Sequence, residues 1–417
     1  MRDNEVEPTR ARAQDSIQPG SDRRSPTLNT PGSQYEKLLD LLPGASPVQL
    51  IDEHGNEVEN ATGYPMPDAE TLQNAYRGMV IARRWEAQVT ALTRQGRLAT
   101  YPSAYGQEAG EVGSVLSLES HDWMFPTYRD SSALLTRGVP PRNLLSFFRG
   151  DWHSSFDPYE FRISPQSTPL ATQALHAVGF AHAEKLQGRN TVTLTYLGDG
   201  ASSEGDTHEA MNFAATWNTA TVFFVQNNQY AISTPVNEQM RSRSIADRAA
   251  GLGMRGVWVD GNDIAAVIAV TKDAIARARA GEGPTVIEAR TYRLESHTNS
   301  DDPTRYRTSE EAESWKAFDP IERLANYLRA NDLLTAELEA EISAEAEDNA
   351  AKTRAAMNET VEIDPLEIFD HVYATPRASL EEQRAMLAEE LAAREPVGAT
   401  AASATAASAA ETQGATS

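Results

Sequence analysis

The stretch Tyr196–Gly205, YLGDGASSEG, sets one carboxylate, Asp199, between Gly198 and Gly200 directly after an apolar run. Flanking glycines let a backbone come close to a ligand, and a helix starting near Gly205 would direct its N-terminal N–H groups at an anion. A carboxylate there repels phosphate unless a divalent cation lies between them. Mg2+ has the required chemistry, because it takes one or two protein carboxylates together with phosphate oxygens. Further along, the run TVFFVQ (221–226) ends in Asn227 and Asn228. An amide oxygen is a hard, neutral ligand that completes such a shell without adding charge. Asp199 and Asn228 are therefore expected on one metal. Either motif alone is an ordinary turn; their occurrence at successive strand ends of one βαβ unit makes the metal reading specific.

Two rival chemistries fail on spacing. A dinucleotide fingerprint needs G-x-G-x-x-G, and here the third glycine, Gly205, comes two positions late, while the second strand ends in amides instead of an acid. A nucleophile elbow needs G-x-S-x-G, and GASSEG has one residue too many. Ser202 and Ser203 are read as helix-entry residues.

The elements that must position these groups follow from periodicity. TVTLTYL (191–197), TVFFVQ (221–226), GVWVD (256–260) and TVIEARTYRL (285–294) read as strands, separated by the amphipathic stretches EGDTHEAMNFAATWN and DIAAVIAVTKDAIARARAG. That alternation predicts an α/β protein with a doubly wound, mostly parallel sheet, whose ligands bind at the carboxyl ends of the strands. A first helix is expected after Asp68, with Leu72, Tyr76, Met79 and Val80 on one face and Gly96 ending it. A small-residue helix follows in GQEAGEVGSVLSL, where Gly110 and Gly113 allow close packing. Beyond residue 309 the chain reads as helical and acidic, and TAELEAEISAEAEDNAAKTRAAMNE reads as a solvated helix.

Residues 1–45 are expected to form a disordered polar arm, 46–375 one compact domain with a helical C-terminal part, and 376–417 an acidic helix followed by a disordered Ala/Ser/Thr tail. The 37 Lys and Arg residues against 60 Asp and Glu, a net charge of −23, argue against a nucleic-acid grip. Cysteine is absent, which excludes disulfides and thiol chemistry and suits a reducing compartment. With no apolar run of membrane-spanning length and an acidic N-terminus, a cytoplasmic protein without membrane contact is expected.

The stretch GDGASSEGDTHEAMNFAATWNTATVFFVQNNQYAIS closely resembles the thiamine-diphosphate motif, which opens with G-D-G and closes with N-N. With YGQEAGEVGS, FPTYRD, STPLATQ, VDGNDIAAV and TYRLESHTNSDDPTRYRT in the same order, residues 68–375 resemble the alpha subunit of the E1 component of 2-oxo acid dehydrogenase complexes. The resemblance implies the thiamine-diphosphate-binding fold, with Mg2+ held by Asp199, Asn228 and the Tyr230 carbonyl. It assigns the diphosphate to Tyr128 and Arg129 and to the backbone of Gly200 and Ala201 beside Gly198, with further cofactor contacts from Thr168 and Leu170. Ser167, Pro169, Thr172 and Gln173 match a structural potassium site in some members. His297 matches an active-site histidine that faces the reactive end of the cofactor and serves the intermediate or acyl transfer to lipoamide.

Three departures accompany the match. Gln226 stands where some branched-chain enzymes carry an arginine, GDWHSSFDPYEFRISPQST lacks the usual Gly-Lys-Gly-rich pattern, and Thr298 replaces a serine that is phosphorylated in relatives. The resemblance also implies a separate beta subunit in an α2β2 heterotetramer, and the lipoyl domain of E2 as acyl acceptor. Branched-chain 2-oxo acids are the favoured substrates; pyruvate, acetoin chemistry and a non-catalytic assembly paralogue stay open as alternatives.

Overall fold

The computed structural model describes residues 38–59, 62–151, 156–360 and 362–393. The arm expected over 1–45 lies outside these residues up to 37, and the Ala/Ser/Thr tail lies outside them from 394. The chain forms a five-stranded, fully parallel sheet in the order β1-β2-β3-β7-β6, from β1 (Trp123–Phe125), β2 (Thr193–Gly198), β3 (Thr221–Asn227), β6 (Arg255–Asp260) and β7 (Thr285–Arg290). Two short strands, β4 (Tyr230–Ala231) and β5 (Thr234–Pro235), pair antiparallel above it. The helices used below are α1 (Ala69–Arg94), α2 (Glu108–Leu116), α3 (Ser131–Thr136), α4 (Thr172–Leu186), α5 (Gly205–Trp217), α6 (Ile264–Arg279), α7 (Ala336–Asn358) and α8 (Ala378–Ala393).

The strands read as unbroken apolar runs because both faces of the sheet are covered. Leu194, Tyr196, Val222, Phe224 and Val257 pack into one core with residues of α1, α2 and α6. Their neighbours Leu197, Phe223, Val225 and Val286 pack into a second core with α4 and α5. Strand alternation thus sends successive side chains to two different helix layers.

Each helix has a local reason for its position. Asp68 caps α1 by accepting from Thr71 N at 2.8 Å, as its sequence context predicts. Gly113 of α2 lies so near α6 that an added Cβ would sit 2.9 Å from Val267 Cγ1. The expectation for 336–358 needs correction. The helix is there, but Ile342, Ala346, Ala350, Thr353 and Met357 form a buried row at i, i+3 and i, i+4 spacing. They face α1, and Arg77 pairs with Glu341 and Glu345 while Arg84 pairs with Glu347 across the seam. Two of the five are alanine and one is threonine, so the stripe's apolar character is weak in the sequence even though its small residues allow close helix packing. No described helix is long and apolar enough to cross a membrane.

Candidate active site

The strand register brings the chemistry to one edge of the sheet. Gly198 of β2 lies opposite Gln226 of β3, and Asn227 of β3 lies opposite Arg290 of β7. Asp199, Asn228 and the loop leading to Arg293 and His297 therefore leave the sheet side by side at its carboxyl edge. The strand expected over 285–294 ends at Arg290, yet its backbone keeps bonding to the Asn pair: Thr291 N donates to Asn227 O at 2.9 Å, and Arg293 N to Asn228 O at 3.3 Å.

These groups line a cleft of about 230 Å³. Tyr128, Arg129, Leu170, Gly198, Asp199, Gly200, Ala201, Asn228, Tyr230 and His297, all singled out from the sequence, are brought together there. Thr168 is exposed on the turn before α4 and is not among the lining residues. Ser167 Oγ donates to Pro169 O at 3.0 Å in the same turn, and Thr172 opens α4. Gln173 is buried; its Nε2 donates to Tyr196 O at 2.6 Å, while its Oε1 has no hydrogen-bond partner.

In the cleft one amide oxygen faces two further oxygens. Asn228 Nδ2 donates to Gln107 Oε1 at 2.9 Å, which leaves Asn228 Oδ1 3.2 Å from Asp199 Oδ1 and 3.1 Å from the Tyr230 carbonyl oxygen. Tyr230 N–H reaches the same Oδ1 at 3.3 Å. Oxygens bound to one octahedral Mg2+ at ~2.0–2.1 Å stand ~2.9 Å apart along an edge. The inverted Asn228 amide would satisfy the two oxygens within the protein alone, but it also requires Gln107 to turn. A divalent cation satisfies the arrangement as it stands. One carboxylate with two neutral oxygens is, moreover, the donor set that suits Mg2+ arriving with an anionic partner. Among the described residues no group of three or more His, Asp or Glu side chains forms a metal cluster.

Burial raises the Asp199 pKa above the usual carboxylate value, opposed by the hydrogen bond from Gln239 Nε2 to its Oδ2 at 2.8 Å. Two guanidinium groups flank the cleft. Arg129, buried, donates through Nη1 to Ser103 O at 2.8 Å and through Nη2 to His297 O at 3.0 Å, so it is no surface ion pair. Arg293, also buried, donates to Tyr230 O at 3.2 Å and Ile232 O at 2.6 Å, tying that carbonyl to the rest of the site. Both arginines approach His297 Nδ1, Arg129 Nη2 at 3.1 Å and Arg293 Nη1 at 3.3 Å. Guanidinium only donates, so Nδ1 accepts and the imidazole proton sits on Nε2. Burial and the two positive charges lower the His297 pKa to about 4, which keeps the ring neutral at physiological pH. Gln226, which also lines the cleft, donates through Nε2 to Asp130 Oδ1 at 2.6 Å.

Residues 76–364 match the dehydrogenase E1 component family. The chain belongs to this family. It is 45% identical over 346 residues to the 3-methyl-2-oxobutanoate dehydrogenase subunit alpha of Mycobacterium tuberculosis, covering 83% of this chain and 94% of the relative. It is 38% identical over 337 residues to the pyruvate dehydrogenase E1 component subunit alpha of Acholeplasma laidlawii, covering 80% and 96%. The corresponding Staphylococcus aureus subunit is also 38% identical over 337 residues, covering 80% and 90%. Membership makes the protein an alpha-type E1 chain of a 2-oxo acid dehydrogenase, an oxidoreductase dependent on thiamine diphosphate and built to work in a complex. Gln107, Arg293 and Gln239 are among the site residues to which the sequence assigns no role. Gln107 and Arg293 lie inside stretches that carry the family resemblance, YGQEAGEVGS and TYRLESHT, and that was their only signal.

Proposed function

We propose that this E1 alpha chain binds thiamine diphosphate through Mg2+ held by Asp199, Asn228 Oδ1 and the Tyr230 carbonyl, and acts on branched-chain 2-oxo acids of the 3-methyl-2-oxobutanoate type. The observation that carries the reading is Asn228 Oδ1 lying 3.2 Å from Asp199 Oδ1 and 3.1 Å from the Tyr230 carbonyl oxygen, beside two buried guanidinium groups in one cleft. Arg129 and Tyr128 bind the diphosphate, helped by the backbone of Gly200 and Ala201, since guanidinium suits bidentate phosphate binding. Thiamine diphosphate supplies the electron sink for cleaving the bond between the 2-oxo carbon and the carboxylate. His297, neutral and protonated on Nε2, donates a hydrogen bond to the reacting oxygen. Leu170 and Ile232, exposed at the mouth, offer apolar surface suited to an aliphatic chain.

The buried, unpartnered Gln173 Oε1 supports a K+ ion bound with Ser167, Pro169 and Thr172, which would hold the turn before α4. Ala171 in that turn has φ +65°, a conformation that such an ion would help to offset. Beyond residue 309 the described residues form helices and turns without strands. In keeping with the alpha-subunit designation of its relatives, a separate beta subunit completes the cofactor site in an α2β2 heterotetramer in the cytoplasm, and the lipoyl domain of E2 takes the acyl group. The 38% identical relatives favour a second reading, pyruvate as substrate. Co-expression with the beta subunit, followed by decarboxylation assays on 3-methyl-2-oxobutanoate, pyruvate and 2-oxoglutarate, tests both. Preference for pyruvate overturns the branched-chain assignment, and no Mg2+- and thiamine-dependent turnover with any of the three leaves an assembly-only chain.

A further inference from the structure

Asp199 has two oxygens with different surroundings. Oδ1 looks at Asn228 Oδ1, while Oδ2 accepts from Gln239 Nε2 at 2.8 Å. Gln239 comes from the same strap, residues 228–240, that delivers the other two oxygens of the proposed metal face: Asn228 and Tyr230 begin it and Gln239 lies near its end. The strap is held in shape internally. Val236 N donates to Gln229 O at 2.9 Å, and Gln239 Nε2 also donates to Thr234 O at 3.0 Å. Gln229 and Ile232 sit at φ +76° and +56°, conformations that side chains other than glycine adopt only where the surroundings enforce them. A second feature of Gln239 remains without a structural use: its Oε1 is buried and has no hydrogen-bond partner.

We infer that Gln239 is a positioning residue for the metal. It rests on the Mg2+ reading of the site and extends it by one residue. The Nε2–H bond fixes the rotation of the Asp199 carboxylate, so that Oδ1 stays on the face shared with Asn228 Oδ1 and Tyr230 O. Partners of this kind orient metal ligands, and their removal typically costs ~10–100-fold in metal affinity.

The test uses the full chain assembled with its beta subunit, with Mn2+ as a spectroscopic stand-in for Mg2+. Free and bound Mn2+ are separated by electron paramagnetic resonance at fixed thiamine diphosphate, for wild type, Gln239→Met and Gln239→Ala. Methionine keeps the length and packing of glutamine but has no N–H and no strong acceptor. Both variants are expected to need ~10-fold or more Mn2+ for half-saturation, with the apo melting temperature of Gln239→Met unchanged. Wild-type affinity in Gln239→Met together with weakening in Gln239→Ala would make Gln239 a packing residue and overturn the inference. Wild-type affinity in both would overturn it equally. If wild type itself binds no Mn2+ with thiamine diphosphate, the metal reading fails, an outcome separable from either of these.

Discussion

Gly200 and Ala231 approach so closely that a Cβ placed on Gly200 would lie 2.8 Å from the Ala231 Cβ. The contact joins the turn after β2 to the short strand β4, one residue beyond each of two groups proposed to hold the metal, Asp199 and Tyr230 O. At Gly198, by contrast, an added Cβ meets nothing within 4 Å. The two glycines around Asp199 thus answer different demands: Gly198 borders open space at the cleft, whereas Gly200 makes room for the strap.

Gly200→Ala is expected to push β4 away from Asp199 and spread the three oxygens. Overpacking of this kind costs ~1–3 kcal/mol, and the metal site should suffer beyond that. The expected result is weaker Mg2+-dependent binding of thiamine diphosphate in calorimetric titration, with Gly198→Ala less affected in its melting temperature. Equal melting temperatures and equal Mg2+ affinity for Gly200→Ala and wild type would refute the close-approach argument.

Asp199→Asn separates function from stability. Burial makes the Asp199 carboxylate unfavourable in the apo protein, as its raised pKa records, and asparagine removes that charge. The variant is therefore expected to melt at or above the wild-type temperature without ligands while losing Mg2+-dependent cofactor binding. Retained affinity would remove Asp199 from the metal shell.

The parts of the site legible in the sequence are those where local spacing itself carries the chemistry. Gly198–Gly200 and Asn227–Asn228 each end a strand, so their positions at one sheet edge follow from a βαβ unit. Gln107, Arg293 and Gln239 were not legible in this way. They are ordinary by type and reach the site across long separations, Gln107 to Asn228 over 121 residues and Arg293 to Tyr230 over 63. The same holds for the fold. Strands β2, β3, β6 and β7 show as apolar runs, but β1 has three residues and β4 and β5 two each, too short for any periodicity.

The α1–α7 seam gives a test of the corrected helix. Ala350 is fully buried in the row facing α1. Ala350→Leu should force the helices apart and destabilise the protein by ~1–3 kcal/mol, read by chemical denaturation. A solvated helix, the reading that the acidic sequence invites, would tolerate leucine there with no change in the denaturation midpoint.

His297 is held as a neutral donor by the two arginines at its Nδ1, and its titration should reveal that. With the pKa lowered to about 4 from the model-peptide value of 6.5, the folded protein binds this proton less readily than the unfolded chain. Its contribution to stability is thus fully present above pH 6.5 and is lost as pH falls through that value towards 4. Heteronuclear NMR of the apo imidazole is expected to show a midpoint near 4, with the proton on Nε2 above it. A midpoint near 6.5 would mean that Arg129 and Arg293 do not enclose the ring. Bound diphosphate partly neutralises the two guanidinium charges, so the midpoint should rise when the cofactor and Mg2+ are added. His297→Ala should leave cofactor affinity nearly unchanged, because His297 is not one of the three oxygen donors of the proposed metal site. Loss of a hydrogen-bond donor to a reacting oxygen typically costs ~10²–10³ in turnover, and that is the expected fall. Comparing decarboxylation with an artificial electron acceptor against acyl transfer to lipoyl-E2 then locates the step. A larger loss in the lipoyl reaction assigns the Nε2–H to acyl transfer, an equal loss in both assigns it to decarboxylation, and wild-type rates in both would return His297 to the class of ordinary loop histidines.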